Sequence, residues 1–267
     1  MKNLISINTC GLILLNFIAS TALAITAEER GYEIGSIVDQ RDMGWVDSMS
    51  DMKMTLTNQQ GEKSIRSLRV QSMEDNAKGN GDKSLIVFEE PYDVKGTAFL
   101  SYSRTITPDE QWLYLPALKR VKRISSSNKS GPFMGSQFAY EDLTSFDVEK
   151  YNYKYLRNET IDNRETFVVD TYPKYEYSGY THQVVWIDSE RYIPLKIEYY
   201  DRKNSLLKTL KFYQYEKYMN KYWRAHEQSM ENHQNGKTTL LSWGEFKFKN
   251  DFDKKDFNRS NLKRIKY

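Results

Sequence analysis

From residue 151 to residue 249 the chain repeats one local pattern, in which apolar and polar residues alternate over short runs. Candidate strands cover 151–160, 166–172, 183–188, 192–200, 206–218, 222–234 and 237–249. Asp162-Asn163, Asp188-Ser189, Asp201 through Asn204, Asn220 and Asn235-Gly236 stand at the joins. Asn-Gly between two alternating runs is a strong hairpin signal, because both residues tolerate the positive φ of a tight primed turn. Joins this short cannot carry a crossover, which needs a dozen or more residues. The neighbours must therefore be antiparallel, and this half of the chain reads as a meander.

The first half follows the same rule after one helix. Residues 26–43 place Ile34, Ile37 and Val38 on a single helical face behind Glu28, Glu29 and Arg30. From Met52 and Met54 onward the period becomes two. Strands are expected over 50–56, 64–73, 85–88, 96–103, 111–115 and 119–124, with turns at 58–61 and 79–82. The alternation has two qualities. Ile193, Leu195, Ile197 and Tyr199 share an apolar face, while Lys196, Glu198 and Tyr200 point the other way, as in a sheet with one wet side. Val184 through Ile187 are apolar on both faces, so that strand is expected to be covered twice. A curved sheet with helices on its concave side, a closed barrel and a two-sheet sandwich all satisfy this pattern.

The N-terminus carries an address. Lys2 precedes a short apolar run, and Ala22-Leu23-Ala24 supplies small residues where a signal peptidase reads. Residues 1–24 are expected to be a removed signal peptide, and 25–267 one exported domain in the periplasm. The apolar run is too short for a bilayer span of roughly 20 residues. Cys10, the only cysteine, lies inside it, so the exported part has no thiol, disulfide or Cys-based metal site. With 39 basic against 36 acidic residues the chain is nearly balanced, which disfavours a polyanion binder such as a nucleic-acid protein.

Catalytic signals are sparse. His182, His226 and His233 show no metal-ligand spacing. No Gly-x-Ser-x-Gly elbow or phosphate loop occurs, and Gly135-Ser136-Gln137 lacks the second glycine. Glu89-Glu90 and Glu141-Asp142 are adjacent pairs whose side chains diverge on a strand. An enzyme is not expected, nor a metal or cofactor; an envelope glycan or lipid enzyme is the weakest of three readings.

Residues 112–143 are the most distinctive stretch. An apolar run from Trp112 leads into Lys119, Arg120, Lys122 and Arg123, then through a Ser-rich linker into Phe133-Met134-Gly135-Ser136-Gln137-Phe138-Ala139-Tyr140-Glu141-Asp142-Leu143. The four cations fit either a solvated strand end or contact with anionic headgroups or an acidic partner. The large apolar groups of the loop fit either core packing or the lining of a ligand cavity. The expected cavity lining is Met52, Met54, Trp112, Tyr114, Phe133, Met134, Phe138, Ile193, Leu195, Ile197 and Tyr199.

Three segments carry a family resemblance: Glu90-Pro91-Tyr92-Asp93-Val94-Lys95-Gly96-Thr97-Ala98-Phe99-Leu100, the run from Trp112 to Ile124, and the run from Phe133 to Leu143. Through them the chain resembles the bacterial periplasmic outer membrane lipoprotein-sorting protein family of the LolA/LolB-like superfamily. The resemblance implies a mainly β fold, an incomplete (half) antiparallel β-barrel of about eleven strands with a few helices covering the concave face. It implies a monomeric carrier or chaperone binding acyl chains of lipoproteins or other lipids in a hydrophobic cavity for transport to the outer membrane. Its implied partners are an inner-membrane RND-type exporter and an outer-membrane acceptor. The alternative it leaves is an accessory protein that docks such an exporter and carries no lipid.

Overall fold

The computed structural model describes residues 25–265 apart from 76, 78 and 106. The expected signal peptide lies outside the described residues. The first element is α1 (Ala27–Arg41). Thr26 opens it with a capping box: its Oγ1 accepts from the Glu29 amide at 3.1 Å, and the Glu29 carboxylate accepts from the Thr26 amide at 2.9 Å. Ile34 is fully buried. Gly31 and Gly35, one turn apart, form the closest contact. A Cβ on Gly31 would stand 2.9 Å from the Tyr155 amide nitrogen, and one on Gly35 would stand 2.8 Å from the Tyr153 ring. Missing side chains thus let the helix lie directly on a strand.

Six strands follow in a meander: β1 (Asp47–Thr57), β2 (Lys63–Met73), β3 (Asn80–Glu90), β4 (Ala98–Arg104), β5 (Glu110–Leu115) and β6 (Arg120–Ile124). A second meander comprises β7 (Tyr151–Ile161), β8 (Arg164–Pro173), β9 (Tyr180–Asp188), β10 (Pro194–Asp201), β11 (Leu206–Tyr218), β12 (Tyr222–Asn232), β13 (Thr238–Trp243) and the short β14 (Lys247–Phe248). Among the described residues fourteen strands stand where the resemblance implied roughly eleven. Gly244, whose amide donates to the Asp51 carbonyl at 2.8 Å, splits the expected 237–249 strand into β13 and β14. The turn expected at 79–82 lies earlier, because β3 already starts at Asn80.

All fourteen strands form one open antiparallel sheet in the order β6-β5-β4-β3-β2-β1-β13-β12-β11-β10-β9-β8-β7, with β14 also on β1. The halves join at β1 and β13, where Met52 faces Trp243 and Met54 faces Leu241. This order has a geometric consequence. Strands β6 and β7 follow one another in sequence but lie at opposite edges. Residues 125–150 must cross from edge to edge, and they do so over the concave face as a strap of short 3₁₀ turns.

The convex face is covered in two places. Phe257 and Leu262 of the C-terminal segment pack on Leu85, Val87, Ala98, Leu100 and Trp112. Each buried Leu, Val or Phe of this cluster contributes about 1.5–3 kcal/mol. Farther round, Val168, Val184 and Trp186 form a smaller cluster, with the Lys196 ammonium 3.4 Å from the Trp186 ring centroid. On the concave side Val185 and Ile187 pack toward α1. Strand β9 is therefore covered on both faces, as its unbroken apolar run requires.

Candidate functional site

The strap is pinned to both halves of the sheet. Phe133 is fully buried, with ring centroids 5.8 Å from Phe88, 5.2 Å from Phe99 and 5.6 Å from Tyr140. The Arg66 guanidinium on β2 donates to the Met134 carbonyl at 2.5 Å. Lys208 on β11 is buried against Asp142 at 2.5 Å and also donates to the Gln137 carbonyl at 2.9 Å. The Tyr180 hydroxyl donates to the other Asp142 oxygen at 2.7 Å. Glu141 is buried beside it and accepts from the Gly179 amide, Ser178 and Tyr175. Burial pushes its carboxyl up, helped by Asp142. Such a network holds only because each buried oxygen and ammonium is satisfied.

Beside this strap the sheet encloses a cavity of about 1200 Å³. Its floor is apolar: Met52, Met54, Val70 and Ile86 from the first meander, and Ile197, Tyr199, Leu210 and Leu241 from the second. Gly35 and Val38 of α1 and Phe138, Leu143 and Phe146 of the strap close its sides. The volume exceeds the roughly 300–1,000 Å³ of ordinary small-molecule pockets. The rim is polar and lies where α1 ends and the β2–β3 and β11–β12 turns meet. There the Lys221 ammonium donates to the Met43 carbonyl at 2.5 Å, and Asp42 pairs with Arg224 at 2.5 Å. Glu74 accepts from the Gly44 and Val46 amides, both at 2.6 Å.

Carboxylates on this wall are perturbed by burial. Burial pushes Asp82 up to about 7, and the carboxylates of Glu74 and Asp42 push in the same direction. Asp39 rises to about 6 for the same first reason, with Asp147 as its main charged neighbour. Tyr180 and Tyr199, which border the Lys208 pocket, are held neutral far above the ordinary phenol range by burial. The arrangement offers a large apolar floor and a carboxylate-rich rim. Among the described residues no group of three or more His, Cys, Asp or Glu side chains could hold a metal.

Sequence reasoning and structure part at particular residues. Met52, Met54, Phe138, Ile193, Ile197 and Tyr199 line the cavity. Trp112 and Tyr114 do not. They lie on the convex face, where Trp112 is buried with Phe257 and Leu262 and Tyr114 packs against that cluster. Their neighbours Leu113 and Leu115 take the concave side. Alternation placed Trp112 and Tyr114 on one face but could not say which face was inward. Leu195 drops out because a bulge between Pro194 and Lys196 breaks the register with β9. Phe133 and Met134 pack into the core under the strap, away from the cavity wall.

The residues that sequence reasoning missed share a signal. Arg66 precedes Leu68 and Val70, Lys208 precedes Leu210 and Phe212, and Asp82 precedes Ser84 and Ile86, each two positions apart. A charge two positions from an apolar residue on a strand shares its face, so each of these points the same way as the cavity-floor residue after it. His182 turns outward, 2.6 Å from Asp170, with its ring stacked between Tyr172 and Tyr200. Lys119, Arg120, Lys122 and Arg123 are all exposed. Lys119 caps the β5–β6 turn in a left-handed conformation, and the other three lie on the edge strand β6. None makes an ion pair among the described residues. No described helix is long and apolar enough to cross a membrane.

A family model described only as an uncharacterized protein family matches residues 80–264. A domain assigned to outer membrane lipoprotein sorting, from Vibrio parahaemolyticus, is 54% identical, covers 89% of this chain and 100% of its own, and superposes with a TM-score of 0.86. A DUF1329 family protein from Desulfovibrio piger is 31% identical over 89% of this chain and 99% of its own, with a TM-score of 0.84. A LolA superfamily protein from Nitrosomonas europaea shares the fold at 21% identity and a TM-score of 0.69, over 89% of this chain and 99% of its own. No protein of curated function matches the sequence. The chain belongs to the family of the Vibrio domain assigned to outer membrane lipoprotein sorting, and it shares the fold of the LolA superfamily protein.

Proposed function

We propose that this protein is a periplasmic carrier that holds the acyl chains of lipoproteins, or of another lipid, in the cavity between sheet, helix and strap. The observation that supports this reading most directly is the pairing of an apolar floor with a polar rim in a cavity of about 1200 Å³. Burying one acyl CH₂ contributes about 0.8 kcal/mol, so a chain of roughly 16 carbons gains on the order of 12 kcal/mol. That suffices for passage through water and makes unaided release slow. Unloading then calls for partners, and an RND-type exporter on the donor side with an outer-membrane acceptor completes the route.

The test is native mass spectrometry and lipid extraction of the protein purified from its own envelope. A bound amphiphile is expected, and Leu210→Asp, which places a charge on the cavity floor, should reduce its occupancy at least tenfold. A protein that leaves the envelope empty and takes up no fluorescent fatty acid refutes carriage and favours docking to an exporter. Turnover of an envelope lipid or glycan would favour an enzyme instead.

A further inference from the structure

We propose that the β5–β6 hairpin and the C-terminal segment together form a docking surface for an anionic phospholipid bilayer. The structure brings together two basic sets that lie far apart in sequence. Lys119 and Arg120 meet Arg259 and Lys263 around a notch of about 600 Å³. Val121, Asn258 and Ser260 complete its wall, and among the described residues no carboxylate lines it. None of the four cations makes an ion pair among the described residues. A group of like charges left uncompensated in a nearly neutral protein attracts an anion of matching spacing, such as lipid phosphates.

Edge protection accounts for part of this arrangement. Strand β6 ends the sheet, and charges on an edge strand block edge-to-edge pairing. That explains Lys122 and Arg123. It does not explain Arg259 and Lys263, which belong to the 3₁₀ turn Arg259–Arg264 and to no strand.

The apolar tips select a bilayer over a soluble anion. Leu118, at the tip of the β5–β6 hairpin, is 68% exposed, and Tyr92, in the β3–β4 turn, is 94% exposed. The pairing of Ala98 with Tyr114 sets these two turns side by side at one end of the sheet. A Leu and a Tyr projecting beside cations suit the interface of a bilayer, where apolar groups enter and ammonium groups meet phosphate. This surface is at the end of the strands opposite the cavity rim, so the inference does not rest on the carrier reading.

Co-sedimentation of the full chain with phosphatidylcholine vesicles, with and without phosphatidylglycerol, tests the proposal at low and high salt. Wild type should bind only the anionic vesicles and should be released by salt. Each cation at such a surface is worth about fivefold in binding. K119Q/R120Q/R259Q/K263Q should therefore lose at least tenfold while melting within a few degrees of wild type. Leu118→Ser should lose about fivefold and keep its salt dependence. K53Q/K211Q/K247Q/K249Q, which removes four exposed charges away from that end of the sheet, should stay within twofold. If the notch variant melts early, K119Q/R120Q and R259Q/K263Q replace it, each expected to lose at least fivefold. Unchanged binding by the notch variants, or an equal loss in the remote variant, overturns the proposal. So does competition by soluble glycerol 3-phosphate, which would make the notch a site for a free phosphate. Self-association of the notch variant without loss of vesicle binding would reduce the cluster to edge protection.

Discussion

Lys208→Met removes one half of a buried ion pair and leaves the other half in place. The Lys208 and Asp142 side chains are each 3% exposed, and their charged atoms lie 2.5 Å apart. The ammonium also donates to the Gln137 carbonyl and lies 5.3 Å and 5.1 Å from the ring centroids of Tyr180 and Tyr199. Methionine keeps most of the aliphatic stem but supplies no charge. A pair exposed to water would lose less than about 1 kcal/mol. Here the stranded carboxylate stays in an apolar surrounding, so the expected cost is about 3–5 kcal/mol. Adding Asp142→Asn removes the stranded charge and keeps an oxygen for the Tyr180 hydroxyl. The double variant should therefore recover stability relative to Lys208→Met, with a coupling of about 2 kcal/mol or more. Urea unfolding at neutral pH measures both, and binding of an apolar fluorescent dye reports whether the strap has lifted. A cost under about 1 kcal/mol for Lys208→Met, or a double-variant cost equal to the sum of the singles, refutes the reasoning.

Two further outcomes follow from close contacts and from buried charge. Gly35→Val should cost at least about 1–3 kcal/mol in thermal unfolding, because its Cβ would meet the Tyr153 ring at 2.8 Å; an unchanged melt would mean that α1 does not pack as described. For Asp82, the folded-state carboxyl sits near 7 against an ordinary 3.8, so its stabilising contribution is complete below about pH 4 and is lost as pH rises through about 7. Asp82→Asn should thus be more stable than wild type at pH 8, by an amount on the order of 3 kcal/mol, and the gap should narrow as pH falls and close near pH 4. A gap that does not depend on pH would show that Asp82 is not titrating in this range.

The antiparallel β class, the helix near the start and the Asn235-Gly236 hairpin were all legible in the residues, because each follows from local rules. A side-chain period of two, a helical face of Ile34, Ile37 and Val38, and a turn that admits positive φ need only neighbours a few positions away. Which residues share a face was legible for the same reason: Trp112 and Tyr114 do lie together, as do Ile197 and Tyr199. Which face is inward was decided by tertiary structure alone. The C-terminal Phe257 and Leu262 return across more than a hundred residues to cover Trp112, and that cover makes the convex face dry over β3–β5. The strap has the same origin. Nothing near Phe133 or Asp142 in sequence says that β6 and β7 end at opposite edges, yet that sheet order sends residues 125–150 across the concave side and brings Arg66, Lys208 and Tyr180 to meet them. Alternation is set by the chiral backbone residue by residue, whereas inside and outside are set by whatever distant segment buries more apolar surface there.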